Sequence, residues 1–337
     1  LKIVIFFLIF TVSLWGAEVT DMFDRVVKIE QTEKILAIGP GTLRLLTYMQ
    51  LQDRLVGIEN LELDFNYKAP YRRVLDKNFI QSLPVIGQGG PSNLPNIEAV
   101  IKTEADIIFT SFLSKNQVQM LQDKTGIPVV ALSYGSNYGG KEDLKKLQAI
   151  KKSLKLLGEI FEKQKRAEEL VKFMDKNELV LKSFELRTDA YIGGIGYKGA
   201  KGLTSTESNY PPFELLGLEN AVKLNKNGHS QIHLETLLLT NPQMIFLDML
   251  GQRIILQEIE KNKKLFQSLK AYKEKKIYWL YPYNFYNTNV ENVYLNAYII
   301  ASKMGVALDI EKIKEEIYTK FLGINHTEQL PVFTYEY

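Results

Sequence analysis

The chain has no cysteine, three histidines and two tryptophans among 337 residues. The absence of cysteine excludes disulfides, thiol catalysis and a lipid-modified N-terminal cysteine. There is no single-charge, proline-rich or glutamine-rich tract, so disorder is expected only at the termini. Lysine and arginine number 42 against 39 aspartates and glutamates, a net charge of +3 with no basic stripe, which excludes a nucleic-acid partner. H-E-x-x-H and G-x-S-x-G are both missing, and no carboxylate pair stands out as catalytic.

What is present begins with "LKIVIFFLIFTVSLWGAE". One charge, Lys2, precedes an apolar run from Ile3 to Leu14 and the small residues Gly16 and Ala17. This reads as a signal peptide over residues 1–17, removed on export; an uncleaved anchor is the alternative. A periplasmic protein that is not a lipoprotein is expected.

The rest has globular composition and a length that suits two domains. "IEAVIKTEADIIFT" from Ile97 and "LETLLLTNPQMIFLD" from Leu234 each read as a short amphipathic helix, a turn and a buried strand. Thr103 aligns with Thr240, and Phe109 with Phe246. One such unit in each half predicts two α/β lobes with mainly parallel, three-layer sheets. Further strands are expected at "KILAIG", "RLVGIE", "PVVALS", "DAYIGG" and "KIYWLY". Between the halves, Leu144, Leu147, Ile150, Leu154 and Leu157 fall at helical spacing, with at most one break expected near Gly158. The expected division is an N-terminal lobe at 18–140, a linking helix at 141–162 and a C-terminal lobe at 163–337.

Gly194, Gly196 and Gly199 spell G-x-G-x-x-G after the strand-like "DAYIGG". A dinucleotide site needs a helix to open at the third glycine. Here "AKGLTSTESNYPP" follows, which is turn chemistry, so a loop over a ligand cleft is expected instead.

Several stretches in order carry a resemblance: "KILAIGPGTLRLLTYMQLQDRLVGIE", "LPVIGQGGPSNLPNIEAVIKTEADIIF", "STESNYPPFELLGLENAV" and "HLETLLLTNPQMIFLD". Together they resemble the periplasmic substrate-binding proteins of iron-chelate, haem and cobalamin ABC importers, over almost all of the chain beyond the N-terminal run. The resemblance implies two lobes joined by one long helix, no resident cofactor and no enzyme activity. It also implies a metal chelate, of the iron–siderophore class, as cargo and an inner-membrane ABC permease as partner. Nickel complexes, cobalamin and haem are alternative cargoes, and an exported two-lobed metal-dependent enzyme is the rival of another class. The family's first-helix glutamate, which docks on the permease, corresponds here to Arg44; Glu214 in the second lobe falls at the comparable position.

Ligands of open α/β sheets sit beyond the C-terminal ends of the strands. The loops expected there hold Tyr67, Tyr71, Arg72, Arg73, Tyr134, Tyr197, Lys198, Tyr283 and Tyr286, with Arg253 after "MIFLDMLGQ". Tyrosine offers contact area and a hard oxygen donor, and arginine pairs with anionic chelates. Each of these residues also fits a packing or surface ion-pair role. His229 and Tyr286 are the candidate metal donors, while His233 reads as a cap or packing residue before Leu234.

Overall fold

The computed structural model describes residues 17–65, 68–135, 145–224, 227–325 and 328–335. The apolar N-terminal run, Tyr67 and residues 141–144 of the expected linking helix lie outside them.

The first lobe opens with an antiparallel pair, β1 (Ala17–Thr20) and β2 (Val26–Ile29). There follow β3 (Ile35–Ile38), α1 (Thr42–Tyr48), β4 (Ile58–Glu59), α2 (Lys77–Ser82), β5 (Val85–Gly87), α3 (Ile97–Lys102), β6 (Ile107–Thr110), α4 (Lys115–Thr125) and β7 (Val129–Ala131). The main sheet runs β3-β6-β7, all parallel. β4 and β5 pair in parallel, and Leu55 bridges to Ile35 beside them. Side chains alternate between faces, as the period of two requires. Leu36, Ile38, Ile108 and Val129 pack on one side, and Ile35, Ala37, Ile107, Phe109 and Val130 on the other. A parallel sheet buried on both faces explains why these strands read as unbroken apolar runs.

Helices α5 (Lys146–Ile160) and α6 (Gln164–Lys182) make the connection. The break falls three residues beyond Gly158. Glu162 adopts φ +53°, and the Lys163 amide donates to the Gly158 carbonyl at 2.8 Å, a Schellman-type stop. The helices then pack on each other; a Cβ on Gly158 would lie 2.7 Å from that of Ala167. Lys151 ties them through Asp175 and Glu178 at 2.6 and 2.7 Å. The expected single helix over 141–162 is thus followed by a second, which carries the chain across. At one end of α6, Arg166 donates to the Tyr48 carbonyl in the first lobe. Near the other, Asn177 and Glu178 accept from Tyr298 and Tyr294 of the second.

The second lobe contains β8 (Ala190–Gly193), β9 (Ser205–Glu207), α7 (Pro211–Leu215), β10 (His229–Gln231), α8 (Leu234–Thr240), β11 (Met244–Asp248) and α9 (Gln252–Lys261). It continues through α10 (Lys263–Ser268), α11 (Lys270–Lys273), β12 (Ile277–Leu280), α12 (Val290–Lys303) and α13 (Ile310–Leu322). Its sheet is β12-β11-β8, again parallel. The echo between the halves is structural: α3–β6 and α8–β11 each deliver the middle strand of a parallel sheet. Glu104 and Asn241, at matching places in the two turns, take φ +51° and +44°. The Asp106 and Gln243 amides then donate to the Lys34 and Asp189 carbonyls, each just before the neighbouring strand.

One apolar core runs through both lobes. It joins Ile107 and Phe109 to Ile192 and Phe246 by way of Leu154, Met174 and Tyr294. A large apolar interface of this kind limits relative motion of the lobes.

Candidate functional site

The C-terminal ends of both sheets meet at the junction of the lobes. On the first-lobe side, β3 leads into Gly39-Pro40-Gly41, β4 ends at Glu59 and β6 leads into Ser111. Gly39 has φ +86°, and a Cβ there would overlap the Ser111 carbonyl oxygen. Only glycine fits that turn. Gly39→Ala is therefore expected to cost about 2–3 kcal/mol, read as a lower urea midpoint with an unchanged slope.

Glu59 is buried at the end of β4. Its Oε2 accepts from the Gly39 amide at 2.9 Å and from the Tyr286 hydroxyl at 2.8 Å. Tyr286 comes from the other lobe, in the loop after β12, and its oxygen also accepts from the Gly90 amide at 2.9 Å. Burial pushes the Glu59 carboxyl up to about 7, against the two hydrogen bonds that favour its charge; nearby Glu62 adds to the rise. The Tyr286 phenol is likewise held well above its ordinary value by burial, then by Glu59 and Glu62. A phenolate metal donor at Tyr286 is disfavoured in this arrangement.

Arg44 joins the same contact. It is fully buried and crosses between the lobes, donating to the carbonyls of Phe285 at 2.8 Å and Tyr286 at 3.2 Å and to Asn289 Oδ1 at 2.8 Å. Asn287 returns a bond to the Pro40 carbonyl at 2.9 Å, and Asn289 another to the Lys68 carbonyl at 2.8 Å. Arg44 is therefore an interlobe clasp, and the docking position it was aligned with is turned inward. Glu214 on α7 is exposed, as a docking residue must be.

The sequence candidates divide. Tyr71, Arg72 and Tyr134 are buried beside this junction, each with an internal partner. Arg72 pairs with Glu62 at 2.7 Å, Tyr71 donates to Glu62, and Tyr134 donates to the Gly41 carbonyl at 2.9 Å. The guanidinium of Arg72 lies 5.7 Å from the Tyr286 ring centroid, and that of Arg44 4.6 Å from the Tyr71 ring. Arg73 instead pairs with Glu328, near the C-terminus of the chain. Tyr283 is buried, and its hydroxyl meets Lys146 at the start of α5 and Glu207 at 3.4 Å. Arg253 is exposed on α9.

His229, Tyr197 and Lys198 form a separate group in the second lobe. The Tyr197 and His229 rings stack with centroids 4.3 Å apart, and Lys198 covers Tyr197 at 5.8 Å. His229 Nε2 lies 2.8 Å from Ser205 Oγ. This imitates a nucleophile–base contact, but Ser205 is fully buried and its hydroxyl is given to the Ile195 carbonyl at 2.6 Å. The two metal candidates, His229 and Tyr286, thus have different partners. No group of three or more histidine, aspartate or glutamate side chains suited to a metal ion occurs among the described residues.

The glycine-rich loop leads from β8 into β9, a strand, and no helix opens at Gly199. Gly194, Gly196 and Gly202 serve close packing, whereas Gly199 meets nothing within 4 Å and takes φ +114°. A Cβ on Gly194 would sit 2.6 Å from Ile255 Cδ1, and one on Gly196 or Gly202 would overlap Leu250 or Glu258.

Two strand-end acids, Glu59 and Asp248, escaped notice in the sequence. Asp248 ends β11 fully buried, accepting from the Leu250 and Tyr283 amides at 2.8 Å each. An acid closing an apolar strand, as in "GIE" and "IFLD", was the available signal.

A family model described as periplasmic binding protein matches residues 35–283. The molybdate-binding protein MolA of Haemophilus influenzae is 24% identical over 288 residues, 79% of this chain and 77% of that protein. The molybdate-bound structure of MolA aligns with a TM-score of 0.72 and 21% identity, covering 92% of this chain and 99% of that one. Helicobacter pylori CeuE with Ni(II) bound gives 0.66 and 18%, covering 92% and 97%. The haem-binding protein HutB of Vibrio cholerae gives 0.58 and 12%, covering 81% and 98%. The structural likenesses show a shared fold.

Proposed function

The chain belongs to the periplasmic binding protein family, and from that premise we propose that it captures a small, metal-bearing anion between its lobes and hands it to an ABC permease. The observation that carries this reading is the junction itself. Strand ends of both lobes converge on Tyr286 and Glu59, with the buried guanidiniums of Arg44 and Arg72 beside them.

The charges there favour an anion. Arginine stays protonated in proteins. Of the carboxyls nearby, Glu62 is committed to Arg72, while burial raises both Glu59 and Glu291 toward their neutral forms. Arg44 donates to neutral carbonyl and amide oxygens across the lobes, so an anionic solute would supply it with opposite charge. Direct contact between the lobes also favours a compact solute. A bulky siderophore would have to part Tyr286 from Glu59 and Arg44 from its loop. The 24% identical molybdate-binding relative supports the same choice, so a molybdate-sized oxyanion takes precedence over an iron–siderophore complex. Glu214 is the proposed permease contact of the second lobe.

A melting-temperature panel tests the cargo class. Molybdate and tungstate are expected to stabilise the protein by about 2.7 kcal/mol at a hundredfold excess over Kd. Sulfate, nickel, a ferric catecholate and haem should give less. Stabilisation by the ferric chelate alone would return the reading to siderophore uptake, and stabilisation by none of them would remove the metal-anion class.

A further inference from the structure

Resting on the reading of an interlobe site, we infer that Tyr286 is a tethered occupant of the first-lobe socket, which a cargo oxygen must displace, and that this exchange selects the cargo. The socket is built from one lobe and filled from the other. Gly90 supplies an N–H and Glu59 an acceptor oxygen, and the phenol satisfies both at 2.9 and 2.8 Å. Glycine at position 89 makes the room: a Cβ there would lie 2.6 Å from the phenol oxygen and 3.2 Å from Glu59 Cβ.

The loop that delivers the phenol is under backbone strain. Tyr286 and Asn287 are consecutive non-glycine residues at φ +48° and +80°. Such residues persist only where surrounding contacts hold them. Here the contacts are the Arg44 bonds to the Phe285 and Tyr286 carbonyls, the Asn287 bond to Pro40 and the phenol in its socket. Withdrawal of the phenol would remove one of these restraints and let the loop relax, which offsets part of the cost of displacement.

Selection follows from what the phenol oxygen does. It accepts one hydrogen bond and donates another. A replacement must accept from Gly90 and either donate to Glu59 or accept a proton from it; otherwise a buried polar group is left unpaired. Oxyanions and hydroxyl-bearing chelates meet that demand, and ligands presenting only apolar edges or ring nitrogens without a proton do not. His229, which has its own partner in Ser205, is not needed for this exchange.

Two variants test it from opposite lobes. Tyr286→Phe keeps the ring and removes the oxygen; Gly89→Ala crowds the phenol, at a φ of +82° that also strains the socket backbone, so Tyr286→Phe is the deciding variant. Without added solute, the Gly90 amide should exchange about tenfold faster in both, as expected for one lost hydrogen bond. With molybdate as the probe, both should bind several-fold more tightly than the unmodified chain, because the competing occupant is weakened. Circular dichroism verifies that each variant folds. Unchanged Gly90 exchange in Tyr286→Phe would overturn the socket assignment, and weaker molybdate binding would make Tyr286 a direct cargo contact instead. If molybdate binds none of the three proteins, the cargo reading fails, while the exchange measurement still decides the socket.

Discussion

Replacing Glu62 with alanine is expected to remove about 3–5 kcal/mol of stability, the usual cost of leaving a buried charge without its partner. Arg72 is 1% exposed, and Glu62 holds it through Nη2 at 2.7 Å and Nε at 2.8 Å. The same carboxylate accepts from Tyr71, so alanine would leave a cation and a phenol facing a void. The Asp64 carbonyl, which accepts from Arg72 Nη1 at 2.6 Å, is too little to compensate. Glu62→Gln should cost less, because an acceptor remains. Removing both charges, with Arg72→Met added to Glu62→Gln, should recover stability lost by the alanine variant. Urea midpoints decide it. A loss below about 1 kcal/mol for alanine would mean that water or another acidic group reaches Arg72.

A second large effect is expected with pH. Burial raises Glu59 from 4.5, and Asp248 from 3.8, to about 7 each. The folded protein therefore keeps protons that the unfolded chain has already released. Stability from these groups is full below about pH 4, falls as pH rises toward 7, and is level above it. Each unit of difference corresponds to 1.36 kcal/mol, so Glu59 accounts for about 3 kcal/mol and Asp248 for about 4 kcal/mol across the window. The protein should be several kcal/mol more stable at pH 5 than at pH 8. Glu59→Gln should remove roughly half of that slope, and denaturant titrations at a series of pH values measure it. A profile that rises between pH 5 and 8 would contradict the protonated, buried state of both acids.

Much of the fold could be read before any coordinates. The seven parallel strands expected from apolar runs all form, and the repeated helix–strand unit marks the centre of each sheet. These features depend on local patterns, in which burial on both faces writes itself as continuous Val, Ile, Leu and Phe. The connection was less legible. Leucine spacing reveals helix, but a Schellman stop at Glu162 has no glycine or proline to announce it. The site was the least legible part. Arg44, Glu59 and Asn289 lie far apart in sequence, and what unites them is the approach of one lobe to the other. Several of the tyrosine and arginine candidates lie near strand ends, yet composition cannot tell Arg72, locked to Glu62, from Arg73, which turns to Glu328. The glycine-rich loop was legible as something other than a phosphate cradle. The reason for Gly194, Gly196 and Gly202, close packing against the β11–α9 corner, was not.

The most direct test of an anion site between the lobes is amide hydrogen exchange, resolved by residue, with and without saturating molybdate. Changes in exchange should concentrate at Gly39–Thr42, at Gly89 and Gly90, and in the loop from Tyr283 to Asn289, which loosens as its phenol leaves the socket, with both lobes responding at one solute per chain. Changes confined to one lobe, or centred on the separate Tyr197–His229 group, would contradict a site at the junction.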